Sequence, residues 1–138
     1  MIDAGYKKLG VYTLSHRLAI EVHSMSLMLP KHETYEEGSQ IRRSSKSVCA
    51  QIVEGYSLRV YKKEFLLYLH RAYASAEETI EHLDLLHESN SLSDKILYNR
   101  LRQEYETLCG KLFRLIQSVA EQHESRSYVK EDDPPYLA

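Results

Sequence analysis

The sequence contains no tryptophan, five glycines and three prolines among its 138 residues. So few glycines and prolines leave too few turns for a sandwich or barrel of short strands. Hydrophobic residues make up 43% and charged residues 28%, which is close to the globular average and excludes wholesale disorder. A chain of this length supports one hydrophobic core better than two. The composition therefore predicts a single all-α domain.

Cysteines and long apolar runs are also scarce. Cys49 and Cys109 stand far apart without the Cys-x-x-Cys or Cys/His spacing of a structural metal site, so we expect both to be reduced. No run of 18 apolar residues occurs, and the segment after Lys7 and Lys8 is interrupted by polar residues before it could serve as a signal sequence. We expect no membrane association and a cytoplasmic location.

Four segments carry apolar residues at spacings of three and four, which predicts helices with one buried face. They span residues 12–29, 37–56, 61–88 and a fourth segment from Ser93 to at least Val119. Gly55 is expected to end the second helix, and Ser93 to cap the fourth with Asp94 in its first turn. Beyond this bundle domain, residues 1–123, the apolar period stops, and residues 124–138 are predicted to form a flexible acidic tail.

None of these helices can bury its apolar face alone. The short connections between them favour antiparallel neighbours, so the simplest arrangement is an antiparallel up-down-up-down four-helix bundle.

Catalytic and metal-binding patterns are missing from the sequence. A di-iron bundle needs two Glu-x-x-His motifs, and the chain contains none. The nearest substitutes are Asp84 with His87 and Glu78 with His82, single pairs that we interpret as solvated surface groups. No nucleophile elbow or glycine-rich phosphate loop occurs either. We expect a protein that is not an enzyme and carries no cofactor or metal.

The net charge of −2 conceals a strong asymmetry along the chain. Residues 41–71 hold seven cations and two acids, a surplus of five positive charges. Residues 72–106 hold eight acids and three cations, a surplus of five negative charges. Any attraction to a polyanion must therefore come from a local basic surface.

Two mechanisms could use this asymmetry. The basic segment could bind phosphates, with Tyr56, Tyr61 and Tyr68 nearby to stack on bases. Alternatively, the basic part of one protomer could face the acidic part of another, which gives a heterologous contact able to close into a ring.

The residues that follow the first predicted turn resemble a known family. The resemblance rests on three blocks and on small and acidic residues after them: Gln40 to Ser47, Ile52 to Gly55, Arg59 to Phe65, then Ala72, Ser75 and Glu78. Together they are similar to the bacterial four-helix-bundle proteins encoded in intervening sequences of 23S ribosomal RNA genes. Those proteins are in turn similar to the accessory variability determinant of diversity-generating retroelements.

This resemblance implies an antiparallel four-helix bundle that assembles into a homopentamer. It also implies a basic surface that binds nucleic acid and, in the retroelement relatives, a reverse transcriptase partner.

The candidate nucleic-acid-binding residues lie on helix two and at the start of helix three. They are Arg42, Arg43, Lys46, Arg59, Lys62 and Lys63. Glu54 is interpreted instead as structural, and if it is buried it needs a cationic partner from another helix, such as Arg71.

We therefore predict a non-enzymatic oligomeric scaffold that binds nucleic acid, RNA before DNA, through this basic surface. The alternative is a protein–protein adaptor or structural oligomer whose charges join subunits or bind a protein partner.

Overall fold

The computed structural model describes residues 5–125, with side chains to residue 122. Four helices form the fold: α1 (Gly10–Ser26), α2 (Glu37–Ser57), α3 (Lys62–Glu88) and α4 (Lys95–Ser125). Short 3-10 turns at Gly5–Lys8 and Lys31–Glu33 precede α1 and α2. No β-strand occurs within the described residues. The predicted tail, residues 124–138, falls almost wholly outside the described residues, because α4 ends at Ser125.

Each helix packs against its neighbour in sequence, and α4 returns to pack against α1. The connections between helices are short, which makes sequential neighbours antiparallel. Apolar residues from all four helices fill the core, among them Leu18, Ile41, Leu83 and Leu108, each fully buried. The predicted up-down-up-down four-helix bundle is confirmed.

Hydroxyl groups align α2 with α3, the two helices with the most extensive mutual contact. Ser44 Oγ lies 2.8 Å from Thr79 Oγ1, and Thr79 donates a hydrogen bond to the carbonyl of Ser75. One turn along, Ser47 Oγ lies 3.0 Å from Ser75 Oγ. Because Ser44 and Thr79 are buried, their hydroxyls need these partners. The two pairs fix the register of α2 against α3.

The predicted role of Gly55 as a helix terminator is wrong. Gly55 lies inside α2, which continues to Ser57, and no described glycine has a positive φ. A Cβ at Gly55 would lie 3.0 Å from the Cβ of Tyr68 on α3. Glycine is present here because α3 approaches α2 too closely for a side chain.

The cap of α4 also differs from the prediction by one residue. Asp94, not Ser93, precedes the first residue of the helix, and its Oδ1 accepts a hydrogen bond of 3.0 Å from the Leu97 amide. A carboxylate satisfies a free amide at this end of a helix and also interacts favourably with the helix dipole.

A buried carboxylate that sequence reasoning missed joins the connection between α1 and α2 to the connection between α3 and α4. Glu33 is 5% exposed, and its Oε1 accepts a hydrogen bond of 3.2 Å from the Glu37 amide at the start of α2. Its Oε2 accepts one of 2.5 Å from the Ser91 hydroxyl, between α3 and α4. Glu33 thus stabilises the start of α2 and fastens both connections at one end of the bundle.

A larger side chain at Gly55 should destabilise the bundle. We expect Gly55→Leu to lower the free energy of unfolding by about 1–3 kcal/mol, the usual cost of overpacking, in a urea titration. Gly110→Ala is the control, because a Cβ there meets nothing closer than Arg114 Nη1 at 3.7 Å. It should gain roughly 0.5–1 kcal/mol from helix propensity. Equal effects of the two substitutions would contradict the close approach.

Candidate nucleic-acid interface

Arg42 holds the connection between α1 and α2 together. Its Nη1 donates a hydrogen bond of 3.0 Å to Ser26 Oγ at the end of α1, and its Nη2 donates one of 2.7 Å to the Thr34 carbonyl. The side chain is half-buried. These contacts give Arg42 a structural role in its own chain, and its predicted contact with phosphate stays a prediction.

Arg59 departs furthest from the prediction, because it is 5% exposed. Its Nη1 donates a hydrogen bond of 2.7 Å to the Tyr56 carbonyl at the end of α2, and its guanidinium carbon lies 3.8 Å from the centre of the Tyr56 ring. Carbonyls at the end of a helix lack intrahelical partners and attract a cation. Arg59 therefore stabilises the end of α2, and its burial makes it a weaker candidate for phosphate binding than the exposed cations.

The other four candidates lie near the surface but in two separate groups. Arg43 and Lys46 are exposed on the first half of α2. Lys62, half-buried, and Lys63, exposed, begin α3 at the opposite end of the bundle. At 1.5 Å per helical residue, Arg43 and Lys63 are about 20 Å apart along the bundle axis. The single basic surface that the sequence suggested is therefore divided.

Two of the three tyrosines expected beside these cations are not available for base stacking. Tyr56 is buried beneath Arg59. Tyr68 is half-buried, with the guanidinium carbon of Arg71 lying 5.2 Å from its ring centre. Tyr61 is 62% exposed and directly precedes Lys62.

The condition under which Glu54 would need a cationic partner is not met, because its side chain is not buried. Glu54 is exposed on α2, and Arg71 is exposed on α3. No ion pair joins them within the part of the chain that the structure describes. Arg71 is thus a further surface cation that lies between the two groups. The sequence analysis had considered it only as a partner for Glu54.

Two arginines on the side of the bundle formed by α1 and α4 are paired across these helices. Arg17 of α1 and Arg100 of α4 each contact both Glu21 of α1 and Glu104 of α4, at 2.5 Å for Arg17 and 2.7 Å for Arg100. These four charges form a closed cluster across the contact between α1 and α4. Hydrogen bonds from Arg17 lower the pKa of Glu104 most, and Arg100 lowers it further against the opposing effect of burial.

The pairs interpreted as solvated surface groups instead join helices. Asp84 of α3 accepts hydrogen bonds of 2.7 Å from Tyr98 Oη and 2.9 Å from Arg102 Nε, both on α4. The His87 ring stacks on Tyr98 with a centroid separation of 4.0 Å. Burial acts to raise the pKa of Asp84, but the hydrogen bonds from Arg102 and Tyr98 outweigh it, so the pKa lies below its ordinary value.

His82 likewise lies between two helices. Its Nδ1 is 2.6 Å from Glu37 Oε2 on α2, and its Nε2 is 3.1 Å from Glu78 Oε2 on α3. Three potential ligands therefore approach one another here, yet no group of three or more His, Cys, Asp or Glu side chains within the described range has an arrangement suited to a metal ion.

Two grooves between helices were not visible in the sequence pattern. The first, between α1 and α2, has a volume of about 350 Å³ and is lined by His16, Ala19, Ile20, His23, Lys46 and Cys49. The second, between α3 and α4, has a volume of about 500 Å³ and is lined by Tyr73, Glu77, Ile80, Glu106, Cys109, Gly110 and Phe113. Each groove contains one of the two cysteines, and neither thiol forms a disulfide.

The model of the 23S rRNA-intervening sequence protein family matches residues 7–114, which is most of the sequence. The chain belongs to this family. A solved structure from Bacteroides thetaiotaomicron, described as a protein with unknown function from the S23 ribosomal protein family, shares the fold with a TM-score of 0.70. It is 21% identical, and the match covers 78% of this chain and 95% of that one.

No curated protein is significantly similar to the chain. Family membership agrees with the resemblance seen in the sequence. None of the described helices is both long enough and apolar enough to cross a bilayer.

The contact between Asp84 and Arg102 should make stability depend on acid pH. The pKa of Asp84 is lower in the folded chain than its ordinary value of 3.8. The stability that the ionised Asp84 carboxylate adds to the fold is therefore fully present above pH 3.8, and it is lost as the pH falls through the lowered pKa. We expect Asp84→Asn to cost about 1–3 kcal/mol at neutral pH in urea denaturation, and to lessen the fall of stability below about pH 4.

Glu81→Gln on the exposed side of α3 is the control, and it should alter neither quantity measurably. If Asp84→Asn kept the acid dependence of the wild-type protein unchanged, the contact with Arg102 would not stabilise the fold.

Proposed function

We propose that this protein is a non-enzymatic scaffold that associates with further copies of itself and binds nucleic acid through exposed cations of α2 and α3. One observation carries the proposal. Arg43, Lys63 and Arg71 are exposed and take part in none of the ion pairs found among the described residues, whereas Arg17, Arg100 and Arg102 on α1 and α4 are each paired with two carboxylates or more.

A surface cation without an ion pair can bind a phosphate without first breaking a contact with a carboxylate. Each such contact releases counterions from the nucleic acid, which favours binding at low salt. The paired arginines offer no such gain, because their carboxylate partners already neutralise them. Exposed cations without an ion pair among the described residues also occur on α4, at Lys95, Lys111 and Arg114, so the preference for α2 and α3 rests in addition on the surplus of positive charge in residues 41–71.

The separation of the cations favours an extended ligand. Arg43 and Lys63 lie about 20 Å apart, which is several times the spacing between neighbouring phosphates of one strand. Arg71 lies between them along the bundle axis. Lys46 is left out of this set because it lines the groove between α1 and α2.

RNA is the nucleic acid that we propose first. Tyr61 presents an exposed ring beside the start of α3, and proteins that bind unpaired RNA commonly stack bases on such rings. The family description refers to an intervening sequence of 23S rRNA, which makes fragments of that RNA the natural first ligands to test. We further propose a cytoplasmic location, where the two unpaired thiols would stay reduced.

Self-association is the second component of the proposal, and the family resemblance suggests a homopentamer. Two grooves with unlike charges support contact between copies. The same grooves favour the alternative function, a protein–protein adaptor without nucleic-acid binding.

Removal of the three cations proposed to bind phosphate should separate the two functions. We expect Arg43→Gln, Lys63→Gln and Arg71→Gln together to weaken binding of a labelled single-stranded RNA at least tenfold at low salt, measured by fluorescence anisotropy. The slope of log affinity against log salt should fall by about 2, since each of three lost phosphate contacts contributes about 0.7 on a single strand.

The matched control removes three exposed cations from α4, at Lys95, Lys111 and Arg114. Both triple variants change the net charge equally, so an effect of net charge alone would weaken RNA binding equally in the two variants. Equal loss in both variants, or wild-type binding by the α2–α3 variant, would contradict the proposed interface. Wild-type protein that does not bind RNA but remains multimeric by light scattering would favour the adaptor.

A further inference from the structure

The two grooves lie on opposite faces of the bundle. Since α1, α2, α3 and α4 pack in order around the core, the face between α1 and α2 is opposite the face between α3 and α4. A molecule with different binding surfaces on opposite faces can contact one copy through each of them. This is the arrangement that a heterologous contact requires.

The groove between α1 and α2 is apolar at its floor and cationic at its edge. Ala19 and Cys49 line it, and Ile20 beside them is 58% exposed. Lys46 is exposed at its edge and takes part in no ion pair within the described residues. The groove therefore offers an uncovered apolar surface together with an uncompensated positive charge.

The groove between α3 and α4 has the opposite charge. Glu77 and Glu106 line it, and Phe113 beside them is 51% exposed. Glu106 is paired with Arg102 on its own helix at 3.0 Å, whereas Glu77 is exposed and has no ion pair among the described residues. Glu77 is thus the acid that is available to a cation from outside.

Both grooves lie at the same height along the bundle. Ser47 of α2 and Ser75 of α3 are in contact at 3.0 Å and mark one level. Lys46 and Cys49 flank Ser47 in the first groove, while Tyr73 and Glu77 flank Ser75 in the second. Copies joined through these grooves would be related by a rotation with little shift along the bundle axis, which allows a ring to close.

We propose that the groove between α3 and α4 of one copy docks on the groove between α1 and α2 of the next. In this contact Phe113 covers Ala19 and Ile20, and Glu77 pairs with Lys46. The inference rests on the proposed self-association and specifies where it occurs. It also gives Lys46, a predicted phosphate ligand, a role between subunits.

A charge exchange tests the proposed pair. We expect Lys46→Glu and Glu77→Lys each to lower the mass measured by light scattering at micromolar concentration, because each places like charges together. The double variant should recover the wild-type mass, since the pair is restored in the opposite order. Lys63→Glu and Glu88→Lys, which reverse exposed charges outside both grooves, are the controls and should retain the wild-type mass.

Phe113→Ser provides a second test without a large risk to folding, because the ring is half exposed. We expect an unchanged helical circular dichroism spectrum and a loss of the multimer.

The two cysteines of the chain can show whether the contact joins unlike faces of neighbouring copies. With a short bis-maleimide, wild-type protein should give a ladder of linked copies, because Cys49 of one copy meets Cys109 of the next. Cys49→Ser alone and Cys109→Ser alone should give none, while their mixture should give linked dimers. The reaction needs mildly alkaline pH, because burial raises the pKa of both thiols, that of Cys109 to about 11.

The possible failures can be distinguished. Dimers linked within a single-cysteine variant would show a symmetric contact and overturn the inference. Multimers that survive Phe113→Ser and each of the single charge reversals would also overturn it. Either result would leave self-association and RNA binding intact. Wild-type protein that is monomeric without RNA would contradict the proposed self-association itself.

Discussion

The close contact of α2 with α3 determines where the functional candidates lie. Small side chains let the two backbones approach, and the pairs Ser44–Thr79 and Ser47–Ser75 set their register. That register places Arg43 and Lys63 near opposite ends of the bundle and brings both grooves to one level. A shift of one helical turn, about 5.4 Å, would change each of these relations. The surface chemistry of this protein therefore depends on an interaction that lies beneath it.

The helices could be predicted from the sequence because their apolar periodicity is regular and interrupted by few glycines or prolines. The α2 and α3 bounds, Glu37–Ser57 and Lys62–Glu88, lie within one residue of the predicted ends. Helix ends with competing signals were harder to predict. Asp94 caps α4 although Ser93 is an equally suitable residue type, and the packing of Gly55 against Tyr68 has no signature in a single sequence.

The candidate site was harder to predict than the fold because a cationic residue type does not reveal its partner. In the sequence, Arg42 and Arg59 look no different from Arg43. In the structure, however, each of the two donates a hydrogen bond to a nearby backbone carbonyl. Such acceptors are fixed by chain geometry and not by sequence spacing. Similarly, Asp84 meets Arg102 from another helix, which periodicity alone could not show. Apolar periodicity predicted the fold and the family resemblance agreed with it, but the contacts of individual charges required coordinates.

Glu33 has a consequence for how the bundle moves. Its hydrogen bonds to the Glu37 amide and the Ser91 hydroxyl secure the end where α1 leads to α2 and α3 leads to α4. The other end contains the α2–α3 turn and the start of α1. We expect the helices to separate first at this other end, while the end that contains Glu33 stays closed. Local opening begins where contacts between elements are fewest.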